Sequence, residues 1–248
     1  MNSLTKLITF FLFTAATVWA DSAIHIFDTP TALNPDRGTY AVSLGVYDQG
    51  GVLLKVGIGI APVISLGMIE FADGLIGSGS NEFSIPGVYC KLSFFEQPPE
   101  GLNLAFGYDS FYYGSFREYD FTKVYGIYTV ITKGYRNILG EPNLFSSGIR
   151  YPLLKDAPRR PELFASHLLR LGRYFSYGLE ITDITFSPTA DYLFINNHTL
   201  SFRINHFISA AFILQLAPSW IPDAETVSGQ RAEMNFSRNL FLSYINFF

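Results

Sequence analysis

Apolar and polar residues alternate along much of the chain with a period of two. In segment 40–47, large apolar side chains occupy the even positions and mostly small or polar side chains occupy the odd ones, and segment 54–60 repeats this arrangement. Similar runs cover 64–68, 88–94 and 102–109. Because successive side chains of a strand point to opposite faces, these runs predict strands with one apolar face. The Gly50-Gly51 pair predicts a tight turn between the first two.

The second half of the chain alternates less regularly. Strand composition is found in 124–132, 145–151, 176–185, 191–204 and 207–217. Residues 162–172 fit two structures. Pro161 and Gly172 would bound a short amphipathic helix, whereas Leu163, Ala165 and His167 would share one face of a strand. We favour the strand because its neighbours are strands and an even number closes a barrel, which gives about twelve strands, or about ten without it and one weak neighbour.

Composition indicates what these strands face. The chain is 48% apolar and only 15% charged, which is lean in charge for a water-soluble domain. The single weak candidate for a membrane helix, 207–217, is too short and stops at Pro218. A closed barrel is the other structure that satisfies every backbone hydrogen bond in lipid. We therefore predict an all-β fold, a single antiparallel transmembrane β-barrel. The alternative is a soluble β-sandwich with an aromatic core, but its outer faces would tolerate more charge.

The N-terminus has the features of a secretory signal peptide. Lys6 precedes an uncharged run from residue 7 to 20, and Val18-Trp19-Ala20 places short residues at the usual −3 and −1 positions. We expect cleavage between Ala20 and Asp21, leaving residues 21–248 as one barrel domain. A retained anchor is the alternative, although the run is shorter than the roughly 20 apolar residues that a spanning helix needs. Export and a barrel together predict the bacterial outer membrane.

The C-terminal strand carries a more specific pattern. Four residues share one face of a strand that runs to the last residue: Leu240, Leu242, Tyr244 and Phe248. This resembles the assembly signal of outer-membrane barrel proteins, in which a terminal aromatic residue follows alternating apolar positions on the closing strand. The resemblance implies the barrel assembly machinery as a partner. Asn246 departs from it at a position that is usually apolar or aromatic.

A second resemblance lies near the mature N-terminus. It is carried by 27–32 (FDTPTA), by Arg37-Gly38, by the strands 57–60 and 64–67, and by the later segments 107–110 and 125–126. These motifs resemble the opening of YjbH-type outer-membrane barrels, which are associated with exopolysaccharide production. The resemblance covers about half of the chain, implies a role in surface polysaccharide secretion with polysaccharide as a partner, and supplies no catalytic residues.

The alternation also predicts which ionisable side chains face the barrel interior. They are Lys55, Glu70, Lys91, Asp109, Arg150, Glu180 and Arg203. A barrel of about twelve strands lies between the filled eight-stranded type and the open porins of about sixteen. The pattern of residues is compatible with an open or a closed interior.

Several kinds of chemistry are not indicated. The formal net charge is −4, and no basic patch indicates nucleic acid. The sequence contains no G-x-S-x-G motif that would place a nucleophilic serine. The four His residues have no third metal ligand at a suitable spacing, and Cys90 is the single cysteine. We therefore expect no enzyme activity, metal or cofactor. The basic segment 152–161 fits contact with anionic lipid or lipopolysaccharide, or a solvated turn.

Three functions remain in order of preference. The first is an outer-membrane barrel with a structural or export-accessory role in surface polysaccharide handling. The second is a small passive, porin-like channel, and the third is a lipid A modifying enzyme of the outer membrane. Outer-membrane lipid surrounds the protein in all three.

Overall fold

A computed structural model describes residues 29–47, 50–76, 82–83, 86–94, 101–110, 126–153, 161–184, 195–204, 208–222 and 230–247. The predicted signal peptide, its Ala20–Asp21 cleavage site and the terminal Phe248 lie outside these ranges. Thirteen strands form one sheet. They are β1 Thr39–Val46, β2 Val52–Ala61, β3 Ile64–Asp73, β4 Glu82–Phe83, β5 Gly87–Ser93, β6 Leu102–Asp109, β7 Gly126–Arg136, β8 Pro142–Pro152, β9 Glu162–Arg170, β10 Phe175–Ile184, β11 Ile195–Arg203, β12 Ile208–Pro222 and β13 Gln230–Phe247.

The sheet closes on itself. Every strand pair in it is antiparallel, β13 pairs with β1, and β3 pairs with both β2 and β5. The short β4 pairs only with β3 among the described strands, so the ring contains the other twelve. The predicted all-β, closed antiparallel barrel of twelve strands is confirmed. Residues 162–170, which also fitted a helix, form β9, and the strand interpretation is confirmed there.

The alternation of the sequence follows the two faces of the barrel wall. In β2, Leu54, Val56 and Ile58 are exposed on the outer face, whereas Leu53 and Gly57 are buried on the inner face. The same alternation runs through β5, β6 and β7. The outer face is therefore an apolar surface built from every second residue.

The last hairpin is longer than the sequence indicated. We expected a strand to stop before Pro218, but β12 continues to Pro222, and Pro218 pairs with Met234 of β13. The described pairing of β11 with β12 ends at Leu216, so beyond it β12 has one described neighbour. Proline lacks a backbone N–H, and an edge position of this kind needs none.

The two ends of the barrel differ. At one end, the connections are 62–63, 94–101, 137–141, 171–174 and 204–207, most of them short, and we name it the short-turn end. At the other end, the connections are 47–51, 74–86, 110–125, 153–161, 185–194 and 223–229, most of them longer. In barrels of the outer membrane, short turns face the periplasm and long loops face outward. Within the described ranges, no helix has the length and apolar content to cross a membrane.

Candidate functional site

The chain turns into the barrel interior immediately before β1. Residues 36–39 form a tight turn in which the Thr39 N–H donates to the Asp36 carbonyl (3.0 Å). Gly38, at the third position, has a φ of 80°, a conformation that favours glycine there. The turn sends residues 29–38, which we name the N-terminal strap, back into the lumen from the short-turn end. The strap residues Thr29, Thr31 and Ala32 are fully buried.

Close packing fixes the turn against β2. The Gly38 N–H donates to the Gly59 carbonyl at 3.0 Å. A β-carbon on Gly59 would lie 2.2 Å from the Asp36 carbonyl oxygen and 2.7 Å from that of Pro35. Gly59 therefore provides the space through which the strap leaves the wall, and the position of the turn depends on its missing side chain.

Hydroxyl side chains of the wall then hold the strap along its course. Ser65 donates to the side-chain oxygen of Asn34 (2.9 Å), and Ser93 donates to the Ala32 carbonyl (2.8 Å). The Ala32 N–H donates to the Thr132 hydroxyl at 2.7 Å. These groups lie on β3, β5 and β7, so the strap is attached to several parts of the wall.

Two charged side chains grip the strap from opposite walls. The Lys91 ammonium on β5 donates to the carbonyls of Thr31 (3.1 Å) and Leu33. The Glu180 carboxylate on β10 accepts the Thr29 N–H (3.0 Å) and the Thr29 hydroxyl (2.6 Å) on Oε1, and the Asn197 amide (3.2 Å) on Oε2. Since β5 and β10 are five strands apart in a ring of twelve, the strap crosses the lumen.

The strap also makes apolar contacts with the inner wall. Ala32 joins a cluster formed by four inward-facing residues, Ala105, Tyr128, Val130 and Phe164. Leu33 packs against the cluster of Leu144 and Leu168.

The predicted interior residues are placed as follows. Lys91, Asp109, Arg150 and Glu180 are buried on the inner face, and Lys55 and Arg203 are half-buried there. Glu70 is different, because it is exposed on the outer face together with Leu66 and Met68. Strand β3 places its odd-numbered residues inside and its even-numbered residues outside. The expectation for Glu70 was wrong because it followed the charge of the residue and not this alternation.

Two further charged residues of the inner face were not predicted from the sequence. Arg170 is buried and Glu162 is half-buried on the inner face of β9, and Glu162 pairs in register with Arg150 of β8. Near the short-turn end, Arg170 and Arg203 both lie on the inner face. The alternating pattern of β9 already indicated that Glu162 and Arg170 face inward. The strap has no such period, so its sequence does not indicate that it lies in the lumen.

Inward-facing aromatic rings lie against glycines of neighbouring strands, and the Tyr89 ring extends across β3 to Gly57 of β2. A β-carbon on Gly67 would meet the Tyr89 ring at 2.1 Å, and one on Gly57 would meet the Tyr89 hydroxyl at 2.0 Å. Three further glycine and ring pairs of this kind are Gly107 with Tyr128, Gly148 with Phe164, and Gly45 with Phe241. The rings are thus packed along the wall.

The closing strand has its expected neighbours. Leu240, Leu242 and Tyr244 of β13 are exposed on the outer face and pair with Val46, Leu44 and Val42 of β1. Asn246 donates its side-chain amide to the Tyr244 hydroxyl at 2.8 Å. The assembly signal itself remains a prediction, since Phe248 lies outside the described ranges.

Two histidines face outward and each contacts a tyrosine. His167 Nε2 is 2.5 Å from the Tyr135 hydroxyl, and their rings stack at 5.9 Å. His198 Nδ1 is 2.6 Å from the Tyr177 hydroxyl. Such bonds satisfy polar imidazole nitrogens on a surface that faces lipid. In the described part of the chain, no three His, Cys, Asp or Glu side chains form a group that could hold a metal.

The outer surface defines the class of protein. Large apolar side chains are exposed all around the barrel, among them Ile60, Met68, Val88, Phe106 and Phe212. In water, such a continuous surface would be strongly unfavourable, whereas hydrocarbon is a suitable solvent for it. A closed antiparallel barrel with a polar interior and an apolar exterior is a transmembrane β-barrel of the bacterial outer membrane.

Two solved structures of outer-membrane proteins align with this chain. A NanC porin aligns over 83% of this chain and 98% of its own, with 11% identity and a TM-score of 0.49. The outer membrane channel DcaP of Acinetobacter baumannii aligns over 84% of this chain and 96% of its own, with 8% identity and a TM-score of 0.32. No family model and no curated protein matches the chain. The resemblance to YjbH-type barrels is therefore not shown.

Proposed function

We propose that this protein is a small outer-membrane channel that favours anionic solutes. The proposal rests on the sign of the charge inside the barrel. Five inward-facing cationic side chains are buried or half-buried in the described strands: Lys55, Lys91, Arg150, Arg170 and Arg203. Three anionic side chains are also buried or half-buried on the inner face: Asp109, Glu162 and Glu180. The described inner wall is cationic by 5 − 3 = 2 charges, although the whole chain carries −4.

This reversal of sign matters because charges inside a narrow pore select the ions that enter it. Field lines are focused within low-dielectric walls, so a small excess of one sign raises the local concentration of the opposite ion. Uncharged polar groups also line the described wall, including Asn103, Ser146, Ser166 and Thr199. They are suited to solutes that carry water.

Planar bilayers test this function. The mature chain, and a variant that lacks strap residues 29–36, would be reconstituted and studied across a potassium chloride gradient. We expect discrete current steps, at least in the shortened form. The sign of the reversal potential should show that chloride permeates more readily than potassium. A cation-selective reversal potential would contradict the anion preference. Absence of steps from both forms would contradict the channel.

The resemblance to YjbH-type barrels implies a different role, in surface polysaccharide secretion. No contact among the described residues favours that role over a channel, and no comparison supports it. A structural, export-accessory barrel has no need of a conducting path. This function would gain support only if both forms of the protein were silent in the bilayer.

A further inference from the structure

The strap has the arrangement of a hinged arm. Its hinge is the turn 36–39 at the short-turn end, where Gly38 has a positive φ and Gly59 leaves room for the Asp36 carbonyl. The described residue farthest from the hinge along the strap is Thr29, whose backbone and side chain both bond to Glu180. Several described bonds in between join the strap to side chains of the inner wall, the Asn34 amide donates to the Pro62 carbonyl, and Pro30 forms a single β-bridge.

These attachments can be exchanged for water. Lys91, Ser93 and Thr132 face the lumen, and so does Glu180, so solvent entering the lumen could solvate each of them if the strap left. The strand ladders of the wall do not depend on the strap and would remain intact. Release of the strap would break these hydrogen bonds and the described apolar contacts of Ala32 and Leu33 while the wall stays closed, as expected for a two-state element.

Glu180 is the group that holds Thr29. Its carboxylate is fully buried, and Thr29 supplies two of its three hydrogen bonds described above, while Asn197 supplies the third. A buried carboxylate requires such donors because it has lost its hydration. The strap thus satisfies the acid, and the acid in turn holds the strap across the lumen.

We infer that the N-terminal strap is the gate of the channel, hinged at Gly38 and latched by the Thr29 to Glu180 hydrogen bonds. Latched, it crosses the lumen from β2 to β10 and closes the path. Released from Glu180, it swings about the turn 36–39 and opens the path. The gate rests on the proposed channel function, whereas the latch can be tested without it.

Thiol accessibility tests the latch. Cys90 faces outward and would be replaced in a Cys90→Ala background. Val130 is fully buried in the cluster that contains Ala32, so Val130→Cys reports on the space beneath the strap. Ser201→Cys, at a half-buried inner position of β11 that has no described contact with the strap, serves as the reference. A membrane-impermeant maleimide would be the probe, applied to proteoliposomes from both sides.

Two variants weaken the latch in different ways. Glu180→Gln removes the charge and offers an amide N–H where an acceptor is needed, and Thr29→Val removes the hydroxyl bond alone. Thr199→Val is the matched control, since Thr199 is a buried inner residue of β11 that does not contact the strap in the described structure. Heat-modifiable migration on gels would verify that each variant is folded, and Thr29→Val still tests the latch if Glu180→Gln fails to fold.

We expect both latch variants to raise the modification rate of the thiol at position 130 by about tenfold, as loss of one or two charged hydrogen bonds implies. The thiol at position 201, and all rates in the Thr199→Val control, should change by less than about twofold. In bilayers, the latch variants should spend a larger fraction of time open. Unchanged rates at position 130 in folded variants, or an equal rise at position 201, would overturn the latch.

The bilayer result separates the two proposals. A released strap with current steps unchanged from the parent would contradict the gate and leave the channel standing. A released strap with silent bilayers in every form would contradict the channel, and the gate with it. Only an increased open fraction in the two latch variants supports the gate and the channel together.

Discussion

The Asp36 carbonyl oxygen lies 2.2 Å from the position that a β-carbon of Gly59 would take. This contact joins the wall of the barrel to the turn from which the strap enters the lumen. The three atoms within 3.0 Å of this position all belong to the backbone of Pro35 and Asp36, so a side chain there cannot be accommodated by a change of rotamer. The contact makes Gly59 a sensitive position for the strap.

We expect Gly59→Ala to displace the turn and to destabilise the protein by roughly 1–3 kcal/mol, the usual cost of overpacking. Urea unfolding in detergent micelles measures the loss, and the thiol at position 130 should become accessible in the same variant. Gly126→Ala is the control, because its nearest neighbour is the flexible Arg150 side chain at 3.3 Å. Equal stability of the two variants would show that the turn yields easily.

Tyr89 and Gly57 provide a second steric test. A β-carbon on Gly57 would lie 2.0 Å from the Tyr89 hydroxyl and 3.3 Å from Cζ, and its next neighbour lies at 3.9 Å. Gly57→Ala should therefore cost roughly 1–3 kcal/mol in the parent and clearly less in a Tyr89→Phe background. A double-mutant cycle of unfolding free energies measures this coupling. Additive costs would mean that the ring does not fill the space above Gly57.

Arg170 and Arg203 should contribute to ion selectivity. Both face the interior near the short-turn end, so Arg170→Ala and Arg203→Ala should each lower the ratio of chloride to potassium permeability, by about two- to threefold. Reversal potentials in a potassium chloride gradient give this ratio. Lys133→Ala is the control, since Lys133 is exposed on the outer face of β7. An equal change in the Lys133 variant would indicate a general surface effect.

Lipid A should be unaffected by loss of the outward-facing histidines. His167 and His198 each bond to a tyrosine, and no acidic partner is among their described contacts, whereas nucleophilic catalysis needs a base oriented by a third group. His167→Ala and His198→Ala should leave the mass spectrum of lipid A unchanged. His206 lies outside the described ranges and belongs in the same series. Any change in acyl composition would revive the enzyme hypothesis.

The strands were predictable because their signal is local. In β2, the apolar residues at even positions face outward and Lys55 and Gly57 face inward, as the period of two required. Segment 162–170 was ambiguous by period alone, and pairing with β8 and β10 resolved it. Glu70 shows that the alternation was more reliable than the charge of a single residue. Its neighbours Leu66 and Met68 already indicated the outer face.

The path of the strap was not predictable from the sequence. Residues 27–32 and Arg37-Gly38 carried a family resemblance, and the described part of them forms the strap and its turn. Nothing in their spacing indicates insertion into the lumen, since the partners are far away in sequence. Thr29 and Glu180 are separated by 151 positions, and Ala32 and Thr132 by 100. Only the closed wall brings these groups within bonding distance.

The sequence by itself determined the barrel, its apolar exterior and most of the charged residues that line its interior. These features follow from a period of two, which local side-chain geometry imposes on every strand. The tertiary structure alone decided the path of the strap, the opposition of Lys91 and Glu180 across the lumen, and the close approach of Asp36 to Gly59. These relationships depend on the closure of β13 on β1, because the ring fixes which distant residues face each other.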